Sequence, residues 1–331
     1  MSKESPWGSP IRAPACMESQ LGAVRYRRDG AMLLSASSLN SRTWEGSIWI
    51  FKDPTEAPNE SLCTAGVQTE TSIADVAWVL ERGILVASDS GAVELWELLD
   101  KESLLVNKFT KYEHDDMVTT VSVFAGGTLA VSGSKDFSVQ VWDLSQKTSL
   151  KSYKAHSNQV NCVSACPGKE TIFLSCGEDN RVLLWDTRNP KPAKSINVCA
   201  PNVSPTYVTW HPDKDDMFAC GDEIGNVYIV NVTNPESAQV VAAHSRSITG
   251  LAYSAHSSPL LASISEDCSV VVLDSDSSEI FKDQSHKDFV TGVAWSPSDL
   301  SSFTTVGWDH KVLHHSLPKE DKPDSPAETQ D

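Results

Sequence analysis

The chain lacks paired cysteines, a long apolar run and the glycine-rich signatures of nucleotide chemistry, and each absence removes a class of protein. Its eight cysteines stand singly among 331 residues, with no CxxC pair, so neither a disulfide framework nor a thioredoxin-like motif is expected. Cys162 and Cys166 lie four residues apart, but no second pair at zinc-ligand spacing completes a metal site. Cys162, Cys176 and Cys220 fall in apolar strand-like runs and read as buried thiols of a reducing compartment. No window approaches the roughly 18 apolar residues of a membrane span, and the opening MSKESPWGSP has no apolar signal core. A soluble intracellular protein is expected. Walker A, GxGxxG and GxSxG patterns are missing as well, which leaves no sequence basis for a cofactor.

Positive charge is also scarce. Against 44 Asp and Glu stand 27 Lys and Arg, for a net charge of −17. Such a surface repels nucleic acid and anionic membranes and attracts Lys/Arg-rich partners, although the same charge also serves solubility alone. Apolar residues make up 40% and include ten Trp, enough for a sizeable core, and 21% charged residues are too few for wholesale disorder.

What the chain does have is a repeat. His114/Ser132/Asp136/Trp142, His156/Ser175/Asp179/Trp185, His244/Ser263/Asp267/Leu273 and His286/Thr305/Asp309/His315 recur in one order. In each set the hydroxyl lies ten residues, and the Asp six, before the last member. Short alternating apolar runs close at Phe51, Trp96, Trp142, Trp185, Val230, Leu273 and His315, at steps of 42 to 46 residues. Period-two alternation reads as a strand, and further strand-like runs precede each one, with tight turns between. Four strands repeating every 40–45 residues is the pattern of a β-propeller blade. The architecture expected is therefore all-β with seven blades.

With Trp142-Asp143 and Trp185-Asp186 ending two of these strands, and Glu97 following Trp96, the repeat resembles the WD40 family. That resemblance implies a seven-bladed propeller over residues 11–317, its last blade closed by an N-terminal strand around Ile11–Cys16. Residues 1–10 are expected to be a flexible segment and 318–331 a disordered acidic tail. It also implies that each His, hydroxyl, Asp and Trp set is a hydrogen-bonded scaffold within one blade. A hydrolase triad is the competing reading, but it needs one activated Ser, an oxyanion hole and a pocket, which four copies around a ring cannot each supply. No enzyme activity is expected. His314 and His315, near His310, read as satisfied strand histidines rather than metal ligands.

Two places invite a partner. Ser88 precedes Gly91 by three residues, whereas Ser37 precedes Gly46 by nine, so six extra residues enter blade one. This insertion, spanning Leu39 to Glu45, carries Arg42 and Trp44, residue types enriched at binding hot spots; alternatively Trp44 folds back on its own blade. The second place is Trp185-Asp186-Thr187-Arg188, which resembles the box by which some WD40 substrate receptors dock on cullin-type ubiquitin ligases; an ordinary blade end is the plainer reading.

Longer stretches, among them PACMESQL, SRTWEGSIWIFKDP, RGILVASDSGAVELWEL, KYEHDDMV, SCGEDNRVLLWDTR and TTVGWDHKVLHH, are similar to the WD-repeat subunits of methylosomes. The resemblance implies a cytoplasmic and nuclear scaffold without activity of its own. Its partner would be the type II protein arginine methyltransferase, bound in a hetero-octamer. Its substrates would be arginine-rich proteins, histone tails and Sm proteins, presented for symmetric dimethylation in snRNP assembly and histone methylation. Neither direct nucleic-acid nor membrane binding is implied. The family's docking Trp falls on Trp44, flanked by Arg42, with Leu39 and Glu45 in the same loop.

Overall fold

A computed structural model describes residues 16–38 and 44–317. The expected closing strand (Cys16 apart), Leu39 and Arg42, and both expected tails lie outside the described residues. The chain folds into seven antiparallel sheets, six of four strands and one with three described strands. Blade one runs Gln20–Tyr26, Met32–Ser37, Gly46–Phe51 and Ala65–Thr69, paired in that order. The remaining blades span residues 73–112, 118–154, 160–196, 205–242, 248–283 and 290–316. Each blade's first strand packs against that of the next, and Val290–Trp295 returns against Gln20–Tyr26, so the ring closes. Among the described residues no helix is long and apolar enough to cross a membrane.

Burial follows strand position. Second strands such as Leu129–Ser134 and Ile172–Gly177 are buried on both faces beyond their first residue, which is why they read as continuous apolar runs. Outer strands such as Thr148–Lys154 and Gln239–Ala242 are largely exposed, and the first carries Lys151 and Lys154, as suits an edge. The core is divided among the gaps between blades. Between blades three and four, Val139, Val141 and Tyr153 meet Val160, Phe173 and Trp185, with the Phe173 and Trp185 rings stacked at 5.8 Å.

Hydrogen bonds stitch the ring at both ends. At the upper end, where the inner strands start, Thr119 Oγ1 donates to the Val160 carbonyl (2.8 Å), Asn161 Nδ2 to Pro205 (2.9 Å), Thr206 Oγ1 to Ile248 (2.7 Å) and Thr291 Oγ1 to Leu21 (2.6 Å). Thr249 Oγ1 donates likewise to Val290. At the lower end, the indoles of Trp210 and Trp295 donate backward to the carbonyls of Ser164 and Ala252, both at 2.9 Å. Trp78 does the same more loosely to the Arg25 carbonyl at 3.4 Å, but at the upper end the junctions from blade one to two and from two to three use other partners. Ser37 Oγ accepts the Ile73 amide at 3.0 Å, and an Arg25–Asp75 ion pair at 2.8 Å reaches blade three through Thr120 Oγ1 and the Val121 amide.

Phe51 pairs with Met32 as Trp142 pairs with Ala130, and both face the preceding blade, Phe51 in the core shared with blade seven and Trp142 in the core shared with blade two, so Phe51 closes blade one as the alternation predicts. One detail of the sequence reading changes: between strand ends, residues 38–45 join the second and third strands where 89–91 do so in blade two, five extra residues rather than six. In that shorter turn Gly91 has φ +82°, and a Cβ there would stand 2.6 Å from the His114 carbonyl, so only glycine fits.

Candidate functional site

The four polar sets come together within single blades. In blade three, Trp142 Nε1 donates to Ser132 Oγ (2.8 Å), His114 Nε2 lies 2.8 Å from that hydroxyl, and His114 Nδ1 lies 3.0 Å from Asp136. Blade four repeats this with Trp185, Ser175, His156 and Asp179 at 2.9, 2.8 and 2.8 Å. The chain of bonds fixes the tautomer: the carboxylate accepts from Nδ1–H, so Nε2 accepts the hydroxyl proton, leaving the oxygen to accept the indole. Each Asp also caps the histidine loop, with the amides of Asp115 and Ser157 donating to Asp136 and Asp179.

Blades six and seven vary the last member. His244 and His286 meet Ser263 and Thr305 at 2.9 Å, and Asp267 and Asp309 at 3.2 and 3.0 Å. Leu273 has no donor to offer, whereas His315 Nε2 takes the indole's place 2.8 Å from Thr305 Oγ1. Burial pulls His315 down to about 4, so it stays neutral and can donate. Burial likewise lowers His114 and His244 despite their carboxylate partners. Burial alone would raise Asp267, but bonds from Ser269 and the Ser245 amide bring it to about 2.

Ser132, Ser175, Ser263 and Thr305 are each 0% exposed. A hydroxyl so enclosed, already bonded to a ring nitrogen, presents no face to a substrate carbonyl. The arrangement ties a loop, a turn and two strands together.

At the break in the repeat, Trp44 is 60% exposed and faces the upper mouth of the central channel. Glu45 beside it is exposed, accepts from Gln68 Nε2 at 3.1 Å, and gives its carbonyl to the Ser38 amide. At the other candidate, the Arg188 guanidinium folds back on Asp186 in a two-pronged contact of 2.6 to 3.1 Å. His314 is held between Thr304 Oγ1 and the Pro54 carbonyl.

Sequence reasoning missed the channel mouth. The residue directly after each second strand lines a cavity of about 870 Å³: Asp89, Lys135, Glu178, Glu223, Glu266 and Trp308 in blades two to seven. Four carboxylates facing one ammonium make the mouth acidic. The signal was a fixed repeat position rather than a residue type. Deeper in, Arg25, Asp75, Thr120, Tyr207 and Val293 form a waist shared with a second cavity of about 560 Å³ below.

Seven blades, two of them with Trp-Asp strand ends and four with buried polar sets, define a WD40-repeat propeller. The family profile "WD domain, G-beta repeat" matches residues 106–143 and 147–186. "Methylosome protein WDR77" of Xenopus laevis is 76% identical over 320 residues, covering 97% of this chain and 96% of that protein; the chain belongs to the family of methylosome WD-repeat proteins. Two more distant likenesses cover half of this chain or less. "Protein transport protein SEC31" of Dictyostelium discoideum is 30% identical over 50% of this chain but 12% of its own length. "Denticleless protein homolog" of Danio rerio is 25% identical over 33% of this chain and 16% of its own.

Proposed function

We propose that the chain is the non-catalytic scaffold of a methylosome, acting in cytoplasm and nucleus. It binds a type II protein arginine methyltransferase, within a hetero-octamer, and presents arginine-rich substrates such as histone tails and Sm proteins for symmetric dimethylation. Likeness along nearly the whole length to a methylosome protein carries this reading. Two features support the division of labour. Trp44 is a large exposed aromatic at the position where the repeat is interrupted, as a docking anchor would be. The acidic channel mouth, with Glu178, Glu223 and Glu266 on adjacent blades, attracts a basic tail over long range without demanding a strict sequence.

Mixing the purified chain with a recombinant type II methyltransferase tests the first part. Co-elution as one stable complex is expected, and separate elution would overturn it. A histone-tail peptide is expected to bind the chain less tightly as salt rises. Affinity indifferent to salt would refute electrostatic capture.

A further inference from the structure

Blade five departs from the polar sets by putting sulfur in their place. Cys220 occupies the hydroxyl position of its second strand, Met217–Asp222: Phe218, two residues earlier, pairs with Val230 as Phe173 pairs with Trp185 two residues before Ser175. The loop that carries the histidine in neighbouring blades is here 197–204, and it contains Cys199. Both thiols belong to the core between blades four and five, where Cys220 is buried and Cys199 is half-buried at its edge. Cys199 packs against the cluster that holds Cys220, and its thiol acts on the ionisation of Cys220. The polar work of this blade is done elsewhere, by Asp222 accepting from Tyr228 Oη and Asn226 Nδ2 at 2.9 Å each. Cys162 and Cys176 also face each other across paired strands, but both are buried away from any oxidant in solution.

The geometry points to Cys199 and Cys220 as a site of reversible oxidative modification, closing to an intrachain disulfide when the protein meets a hydroperoxide. The Cys199 thiolate attacks one peroxide oxygen; the O–O bond breaks, and the departing hydroxide takes up a proton and leaves as water. The Cys220 sulfur then attacks the sulfur of the resulting sulfenic acid. An S–S bond forms, the S–O bond breaks, and the hydroxyl leaves with the Cys220 proton as a second water. Two thiols together lose two electrons, and one peroxide becomes two waters. The contact with Cys199, together with burial, pushes the Cys220 thiol up, so the second step is the slow one.

Closure ties down the segment that carries Ser204. Its amide donates to Glu223 Oε1 at 3.0 Å, and its carbonyl accepts the Glu223 amide at 3.1 Å, so the link would anchor one post of the acidic mouth. The modification itself stands independently of the methylosome reading.

Peptide mapping decides the matter. The reduced full-length chain is treated with stoichiometric hydrogen peroxide, its free thiols are alkylated, and it is digested without reductant by trypsin, which cuts at Lys214 between the two cysteines. The expected product is a Cys199–Cys220 linked peptide pair lacking two hydrogens, restored by dithiothreitol and absent from the C199S and C220S variants. Oxygen adducts on Cys199 with an alkylated Cys220 would overturn the proposal. So would Cys199 joined to another cysteine or to a second chain. The wild-type map alone is decisive if either variant fails to fold.

Discussion

In blade four, Trp185, Ser175 and His156 pass hydrogen bonds inward to Asp179, and the ring nitrogens and the hydroxyl are all buried. In blade one, Trp49 donates instead to Ser47, which bonds to Glu18, and the turn that elsewhere carries the Asp is a longer loop ending in exposed Trp44. The same architectural position therefore holds internal bonding in one blade and an outward aromatic in the other. Regular blades use their polar residues to hold themselves together. The irregular blade leaves the Trp44 ring exposed.

Substitutions in the two blades should separate contact from stability. The largest effect is expected from Trp44→Ala, which should weaken methyltransferase binding by at least about 2 kcal/mol while leaving the melting temperature unchanged. Titration calorimetry beside a thermal melt checks both halves, and undiminished binding would erase the distinction between the blades. Asp179→Ala should do the opposite, costing about 1–3 kcal/mol of stability by orphaning the His156 ring and the Ser157 amide. Denaturant unfolding measures it; loss of binding without loss of stability would reverse the assignment.

Acid should weaken the polar sets. His315 is lowered to about 4 by burial, below the unfolded value of about 6.5. The unfolded chain thus binds more protons between these values, so stability falls as pH drops through that window. Asp267, lowered to about 2, adds a contribution present above about pH 4 and lost as pH falls toward 2. Melts from pH 7 to 3 should show declining midpoints, and a midpoint that rises on acidification would contradict the sign. The smallest effect is expected from Arg188→Ala. Its side chain is 73% exposed beside Asp186, so the change should leave the melting temperature and methyltransferase binding intact; a thermal melt beside titration calorimetry checks both.

Blades three and four were legible because each polar partner demands a particular residue at a fixed spacing, and Ser132 cannot satisfy His114 from any other register. Blade one had no such anchor. Its strands were recognised by alternation alone, which put Phe51 on the right face but counted one residue too many in the loop before Gly46. The acidic mouth escaped notice for a different reason. Asp89, Lys135, Glu178 and Trp308 share no chemistry, only a place after the second strand, and that place acquires meaning once the ring is closed. Cys220 looked like one more apolar strand residue; the register of blade five gives it a hydroxyl's position.

Hydrogen exchange of the chain alone and in complex with the methyltransferase tests most directly whether contact is made at the break in the repeat. Slowed exchange is expected from Trp44 through the start of the strand Gly46–Phe51, with no change across Arg181–Asp186 and Arg188. Protection confined to the end of blade four, with Trp44 and Glu45 exchanging as they do in the free chain, would contradict it.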